Sequence, residues 1–136
     1  MTQIKIFLDT NIVADMIDSS RNNHFLALDF LKKSIINDYK LYISEDMIST
    51  LYYISKDKIS TLDFIKNIVL IDWEIVSFGK KIIDDAIDIS LEKNLDLEDV
   101  LQCLCAKENN CKFLITNDKK FYNCGLGIRN LKEFLE

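Results

Sequence analysis

The sequence of 136 residues contains no proline, three glycines and one histidine, His24. Because proline and glycine mark most linkers, their scarcity predicts one domain that spans residues 1–136. No apolar run reaches the roughly 18 residues that a membrane-spanning helix requires, so we expect no membrane association. Because the chain has a single histidine, a catalytic triad that depends on histidine is disfavoured. The absence of G-x-G-x-x-G and Walker sequences excludes dinucleotide-binding and P-loop sites.

The cysteines do not stand in the C-x-x-C spacing of a structural zinc site. They are Cys103, Cys105, Cys111 and Cys124. The first residues, MTQIKIFLDT, lack the charged, apolar and small-residue sections of a signal peptide. We therefore expect a cytoplasmic protein whose cysteines are reduced thiols that pack as small apolar side chains.

Acidic residues are concentrated in one segment of the chain. The net charge is −5, and residues 84–99 hold seven of the 22 acids but one of the 17 bases. The other 15 acids and 16 bases nearly cancel, so the rest of the chain is compatible with weak RNA binding. Four of the clustered acids share the polar face of a predicted helix and are interpreted as solvated: Asp84, Asp85, Asp88 and Glu92.

Short apolar runs alternate with segments of helical periodicity. The runs predict strands at 4–8, 41–43, 74–78 and 112–115, with a short fifth strand at Ile128. The periodicity predicts helices at 11–17, 23–39, 46–55, 57–71, 80–91, 97–108 and 131–135. In the helix at 80–91, the side chains expected to face the core are Ile82, Ile83, Ala86, Ile87 and Leu91. The alternation predicts the α/β class, a compact three-layer fold in which a mostly parallel sheet of four to five strands is flanked by helices.

Three acids are predicted to meet at one edge of this sheet. Asp9 directly follows the first strand, Asp118 follows the fourth strand through Thr116 and Asn117, and Asp99 lies in the first turn of a helix. Ligands of such folds bind beyond the carboxyl ends of the strands. Each close pair of carboxylates costs on the order of 4 kcal/mol at an effective dielectric of about 20. Oxygen ligands without histidine or cysteine favour Mg²⁺ or Mn²⁺ as the neutralising ion.

Each of these acids also has a structural interpretation. Asp9 is suited to cap the helix that follows it, and Asp96 and Asp99 suit a capping box at a helix start. Asn117 and Asp118 suit a simple turn. Tyr52 and Tyr53 also have two interpretations: they could stack on a base, but aromatic side chains on an amphipathic helix are more typical of the core. The convergence of three acids on one edge favours the functional interpretation.

Three segments, IFLDTNIVADMI, LDLEDVLQCLCAKENNCKFLITNDKKF and IRNLKEFLE, resemble the PIN-domain family in order and spacing over essentially the whole chain. The resemblance implies a parallel sheet flanked by helices and a Mg²⁺- or Mn²⁺-dependent endoribonuclease. Many such proteins resemble VapC-type toxins, which are paired with an antitoxin. RNA as substrate, an antitoxin partner and a homodimer are therefore expectations from the resemblance.

The resemblance also implies roles for individual residues. Asp9, Asp99 and Asp118 match the family's catalytic, metal-binding acids. Asp96 is a further candidate metal ligand. The polar residues that correspond to supports of the first and last acids are Asn11 and Thr116.

One position departs from the family pattern. Toxins of this family usually carry a glutamate inside the helix after the second strand, where ISEDMISTLYYIS places Thr50. Glu45 lies nearby at the start of that helix and is a candidate supporting residue. The departure keeps an alternative open, a catalytically weak or inactive PIN module that binds RNA or a protein partner. A dehalogenase-like or receiver domain fits less well, because Asn11 stands where the former requires a second acid.

Overall fold

The computed structural model describes residues 3–136, so Met1 and Thr2 of the predicted 1–136 domain lie outside it. Its strands are β1 (Lys5–Leu8), β2 (Lys40–Ser44), β3 (Glu74–Val76), β4 (Phe113–Ile115) and β5 (Gly127–Arg129). Its helices are α1 (Thr10–Ile17), α2 (His24–Ile36), α3 (Asp46–Ile54), α4 (Lys58–Phe64), α5 (Leu70–Asp72), α6 (Gly79–Lys93), α7 (Leu97–Glu108) and α8 (Leu131–Leu135). The single helix predicted at 57–71 is instead α4 and α5 joined by a π-helical turn, Ile65–Val69.

The five strands form one parallel sheet in the order β3-β2-β1-β4-β5. From β1, the chain builds outward through β2 and β3 on one side, and β4 and β5 complete the other side. The strand order therefore reverses between β1 and β4, where Leu8 pairs with Ile115. A crevice beyond the carboxyl ends of the strands at such a switch point is the usual ligand site of an open parallel sheet.

The sheet is covered by helices, and its central strands are buried. Ile6, Phe7 and Leu8 of β1 and Leu114 and Ile115 of β4 have no exposed surface. Helix α2 packs on α1 and α8, and α6 packs on α7. The predicted α/β class, with a parallel sheet flanked by helices, is confirmed. None of the helices in residues 3–136 combines the length and apolar character needed to cross a membrane.

The apolar face of α6 is less buried than its periodicity predicts. Ala86 is buried, whereas Ile83 and Ile87 are 43% and 42% exposed and Leu91 is 79% exposed. Helix α6 packs chiefly on α7, and one neighbouring helix covers a narrower stripe than a complete core does. The expectation that Ile83, Ile87 and Leu91 face the core is therefore wrong.

The two adjacent tyrosines of α3 are not both core residues. Met47 and Leu51, four residues apart, form the buried stripe of this helix. Tyr52 is half-buried, but Tyr53 points away from that stripe and is 79% exposed. The expectation of a buried Tyr53 is therefore wrong, because α3 packs on the core through the side of the helix that carries Met47 and Leu51.

Two of the four cysteines are bonded to each other. Cys103 on α7 and Cys124 in the loop between β4 and β5 form a disulfide, so the expectation of reduced thiols is wrong for this pair. The loop returns to α7 and joins cysteines 21 residues apart in sequence. Cys105 and Cys111 are free and buried, as expected of small apolar side chains. Burial raises their thiol pKa values to about 11 and about 12, which makes them unreactive.

Candidate active site

Asp9 is the most firmly held acid at the switch point. It follows β1 directly and caps the N-terminus of α1, with Oδ1 accepting a hydrogen bond of 2.7 Å from the backbone N–H of Thr10. Its Oδ2 accepts a hydrogen bond of 2.7 Å from the hydroxyl of Thr116. Burial raises the pKa of Asp9, and the charge of Asp118 adds to this, while hydrogen bonds from Thr116, Thr10 and Gln102 oppose it. The carboxylate is thereby fixed in one orientation.

Thr116 connects the acids that follow β1 and β4. Its hydroxyl donates to Asp9 and accepts a hydrogen bond of 3.1 Å from the backbone N–H of Asp118. Asp118 is exposed, and its Oδ1 accepts a hydrogen bond of 2.9 Å from the backbone N–H of Lys120, which is an Asx turn. Asp118 therefore forms a turn and also belongs to the site, because the buried hydroxyl of Thr116 holds it next to Asp9.

The first turn of α7 supplies the other acids. Asp96 is the N-cap, and its Oδ1 accepts a hydrogen bond of 3.1 Å from the backbone N–H of Asp99. The capping interpretation of Asp96 thus describes its main contact. Asp99 is half-buried, and the positive end of the helix dipole favours negative charge at this position.

Asp99 has the most perturbed acid–base behaviour of the acids in this cleft. Burial raises its pKa from 3.8 to about 7, and the negative charges of four other acids contribute. These acids are Asp96, Asp118, Asp9 and Glu98. The five carboxylates are therefore close enough to influence one another's ionisation.

An open cleft of about 570 Å³ joins these side chains. Among the predicted site residues, Asp9, Asn11, Asp96, Asp99 and Asp118 line it, while the buried Thr116 supports it from behind. The remaining wall is formed by Thr10, Thr50, Ile54, Asn94, Leu95, Glu98, Lys120 and Tyr122. The sequence prediction of acids converging on one sheet edge corresponds to this cleft.

Some predicted residues lie apart from the carboxylates. Glu45 is exposed at the start of α3 and does not line the cleft, whereas Thr50 does. Asn11 lines the cleft, but its Oδ1 accepts a hydrogen bond of 3.1 Å from Arg21 rather than contacting Asp9. Arg21 also forms an ion pair of 2.6 Å with the buried carboxylate of Asp15.

Sequence reasoning missed Glu98 and Gln102 on α7. Oε1 of Glu98 accepts hydrogen bonds from the hydroxyl of Thr10 at 3.4 Å and from Nε2 of Gln102 at 3.2 Å. Burial and the charge of Asp9 raise the pKa of Glu98. The available signal was the spacing of four between Glu98 and Gln102, which places both side chains on one face of a helix.

The carboxylates of the cleft are hard oxygen donors, which suit Mg²⁺ or Mn²⁺. Within residues 3–136, no group of three Asp, Glu, His or Cys side chains lies close enough together to hold a metal ion. The acids nevertheless raise one another's pKa values, and a bound cation would offset that repulsion. The chemistry of the donor set therefore fits a hard divalent cation.

Comparison with known proteins identifies the family of this chain. The sequence model of the PIN domain matches residues 6–125. The chain belongs to the PIN-domain family. A curated relative of this PIN domain, Ribonuclease VapC1 of Aquifex aeolicus, is 39% identical over 140 residues, which cover 100% of this chain and 96% of the relative.

Solved structures share the fold of this PIN domain at low sequence identity. A toxin–antitoxin complex from Klebsiella pneumoniae matches with a TM-score of 0.67 and 20% identity, covering 90% of this chain and 94% of that one. VapC20 of Mycobacterium tuberculosis, a toxin that cleaves the sarcin–ricin loop, matches with a TM-score of 0.69 and 12% identity. That match covers 89% of this chain and 95% of that one.

Proposed function

We propose that this chain, as one PIN domain over residues 1–136, is a divalent-metal-dependent endoribonuclease that hydrolyses RNA phosphodiester bonds. The observation that carries the proposal is the convergence of Asp9, Asp99 and Asp118 on one cleft at the switch point of the sheet. The 39% identity to a protein named a ribonuclease supports it. These three acids are the proposed catalytic, metal-binding side chains, and Asp96 is a further metal ligand.

The residues of the cleft have different roles in the proposed reaction. A bound Mg²⁺ or Mn²⁺ would acidify a water molecule and offset charge on the scissile phosphate. Asp9 provides an oriented carboxylate, since Thr116 and Thr10 hold both of its oxygens. Asp118 is more exposed than Asp9 and lines the cleft, where a phosphate can reach it. One of the acids, or the phosphate itself, accepts the proton that the attacking water loses.

RNA binding is proposed at the same cleft. Lys120 and Tyr122 line it beside Asp118, and together they offer an ammonium group for a phosphate and an aromatic ring for a base. Outside the acidic segment the chain is close to neutral, so the metal supplies most of the attraction for RNA. We expect moderate affinity with a strong dependence on the divalent cation.

A protein partner is a second part of the proposal. The likeness to a toxin–antitoxin complex supports a toxin that acts in the cytoplasm and is restrained by an antitoxin. A cationic segment of such a partner would be attracted to the acidic cleft. The exposed Ile83, Ile87, Leu91 and Leu97 at α6 and the start of α7 support a homodimer that covers them.

Cleavage of RNA by the purified protein tests the enzymatic proposal. A labelled single-stranded RNA is incubated with Mn²⁺ or with a chelator, and the products are separated by electrophoresis. Asp9→Asn is expected to slow cleavage about 100-fold or more, because an oriented charge at the metal site is worth several kcal/mol. The matched control Asp88→Asn removes one charge from an exposed helix face. Equal cleavage by wild type and Asp9→Asn would contradict the assignment.

The second candidate function is a catalytically weak or inactive PIN module that binds RNA or a protein partner. Two observations favour it: the uncharged Thr50 in the cleft wall, and the lack of a preformed metal-binding trio in residues 3–136. Metal-independent RNA binding without cleavage, unchanged by Asp9→Asn, is the result expected of such a module.

A further inference from the structure

The acids of the cleft are unevenly distributed among its walls. Helix α7 contributes Asp96, Glu98 and Asp99, whereas α3 contributes the uncharged Thr50 and Ile54. Among the hydrogen bonds of residues 3–136, Glu98 is the one of these three acids whose carboxylate bonds to another element of the site, through the hydroxyl of Thr10. Thr10, the residue that follows Asp9 in the chain, therefore contributes to the orientation of Glu98.

A buried amide donates to the same oxygen of Glu98 as Thr10 does. Gln102 has no exposed surface, and its Nε2 donates to Oε1 of Glu98 at 3.2 Å. The amide also opposes the rise in the pKa of Asp9 that burial causes. Its Oε1 has no hydrogen-bond partner within the described part of the chain. Burial of an incompletely bonded amide is unfavourable, and an apolar side chain would avoid that cost. What the amide adds over an apolar side chain is its hydrogen bond to Glu98.

We propose that Glu98 is a fifth metal-binding side chain of this site, beside Asp9, Asp96, Asp99 and Asp118, and that Gln102 is the positioning residue that orients it. The inference rests on the proposed metal-dependent function and extends it to residues on the first two turns of α7. The ligand is a hard divalent cation, since every side chain in the set offers oxygen. The competing interpretation is that Glu98 only complements the helix dipole.

Calorimetric titration with Mn²⁺ distinguishes these interpretations without any RNA. Glu98→Gln keeps the shape and hydrogen-bonding capacity of the side chain but removes its charge. We expect it to weaken Mn²⁺ binding about tenfold or more, because the charge of the ligand set controls affinity. The matched control Asp88→Asn loses the same charge on an exposed face of α6 and is expected to bind Mn²⁺ like wild type.

A compensating substitution sharpens the test. Thr50 lines the same cleft, so Thr50→Glu in the Glu98→Gln background returns one carboxylate to the site from α3. We expect this double variant to regain most of the lost Mn²⁺ affinity. A helix-dipole role for Glu98 predicts wild-type Mn²⁺ affinity in Glu98→Gln itself, so that Thr50→Glu has no loss to restore.

Gln102 is tested by a double-mutant cycle of Mn²⁺ affinity. Gln102→Leu is expected to weaken binding about 10- to 100-fold through loss of orientation, as for other residues that hold metal ligands in place. Combined with Glu98→Gln, the loss should be smaller than the two separate losses together. Strictly additive losses would overturn the positioning role.

The possible outcomes distinguish the role of Glu98 from the metal-dependent function of the cleft. Wild-type affinity in Glu98→Gln, together with lost binding in Asp9→Asn, would overturn the role of Glu98 and leave the metal site standing. Absence of Mn²⁺ binding by the folded wild type would overturn both. Weakened binding in Glu98→Gln that Thr50→Glu restores would support the proposal.

Discussion

The hydroxyl of Thr116 donates a hydrogen bond of 2.7 Å to Oδ2 of Asp9, although 107 residues separate them in the chain. The same hydroxyl accepts a hydrogen bond from the backbone N–H of Asp118. One buried side chain therefore sets the relative positions of two acids that follow neighbouring parallel strands. The geometry of the cleft depends on the pairing of β1 with β4 and on this hydroxyl.

Removal of that hydroxyl should weaken both the fold and the site. Thr116→Val leaves a buried carboxylate oxygen and a backbone N–H without their partner. We expect the free energy of unfolding to fall by about 1–3 kcal/mol, as measured by urea denaturation. Thr116→Ser retains the hydroxyl and is expected to lose less. Equal stability of Thr116→Val and wild type would contradict this account of the contact.

The raised pKa of Asp99 predicts how stability depends on pH. Between pH 4 and pH 7 the folded chain holds a proton on Asp99 that the unfolded chain has already released. The free energy of unfolding should therefore fall as pH rises through this window and change little above it. We expect thermal unfolding scans of the metal-free protein to show a melting temperature that decreases from pH 4 to pH 8.

Asp99→Asn is the matched test of that dependence. The variant should melt a few degrees higher than wild type at pH 8, because it removes a charge that its neighbours repel. Its slope against pH should be shallower, although Glu98 and Asp9 also have raised pKa values and keep part of it. Parallel curves for the two proteins would show that Asp99 ionises with an ordinary pKa.

Reduction of the disulfide should loosen the loop that carries Asp118. The bond between Cys103 and Cys124 closes a loop with a sequence separation of 21, for which the chain-entropy model gives about 3 kcal/mol. We expect urea denaturation with and without dithiothreitol to show a stability difference of about this size. The Cys103→Ser, Cys124→Ser double variant is the control, and reductant should leave its stability unchanged.

Tyr122 should contribute to RNA affinity. Base stacking on an aromatic ring is worth about 1–3 kcal/mol, so Tyr122→Ala is expected to weaken binding of single-stranded RNA about 5- to 100-fold. Fluorescence anisotropy on a single-stranded RNA with cleavage-resistant phosphorothioate linkages separates binding from cleavage and leaves the metal site intact. Tyr53→Ala is the matched control, since Tyr53 is exposed on α3 and does not line the cleft. Equal losses in both variants would exclude a specific role for Tyr122.

The acids that end strands could be found from the sequence, because a short apolar run followed by a polar residue is a local signal. Asp9 and Asp118 are of this kind, and Asp96 was recognisable as a helix cap. Glu98 was harder to find, since acids in the first turn of a helix usually complement its dipole. Its contact with Thr10 depends on how α7 lies against α1, which local pattern does not specify.

Tertiary packing also decided the features that the sequence did not predict. Cys103 and Cys124 meet only because the loop after β4 returns to α7. The isoleucines of α6 have the periodicity of a buried face, yet no element of the described chain covers Ile83 and Ile87 completely. Periodicity records which side of a helix is apolar, and it does not record how much of that side a neighbour covers.

Calorimetric titration of Mg²⁺ and Mn²⁺ at near-physiological salt decides whether this cleft binds a metal ion. We expect saturable binding by wild type, loss of binding in Asp9→Asn, and wild-type affinity in Asp88→Asn. Circular dichroism of each protein checks that the fold is retained. Folded wild-type protein that binds neither ion, or an Asp9→Asn variant that binds as well as wild type, would contradict the assignment of this cleft as a metal-dependent nuclease site.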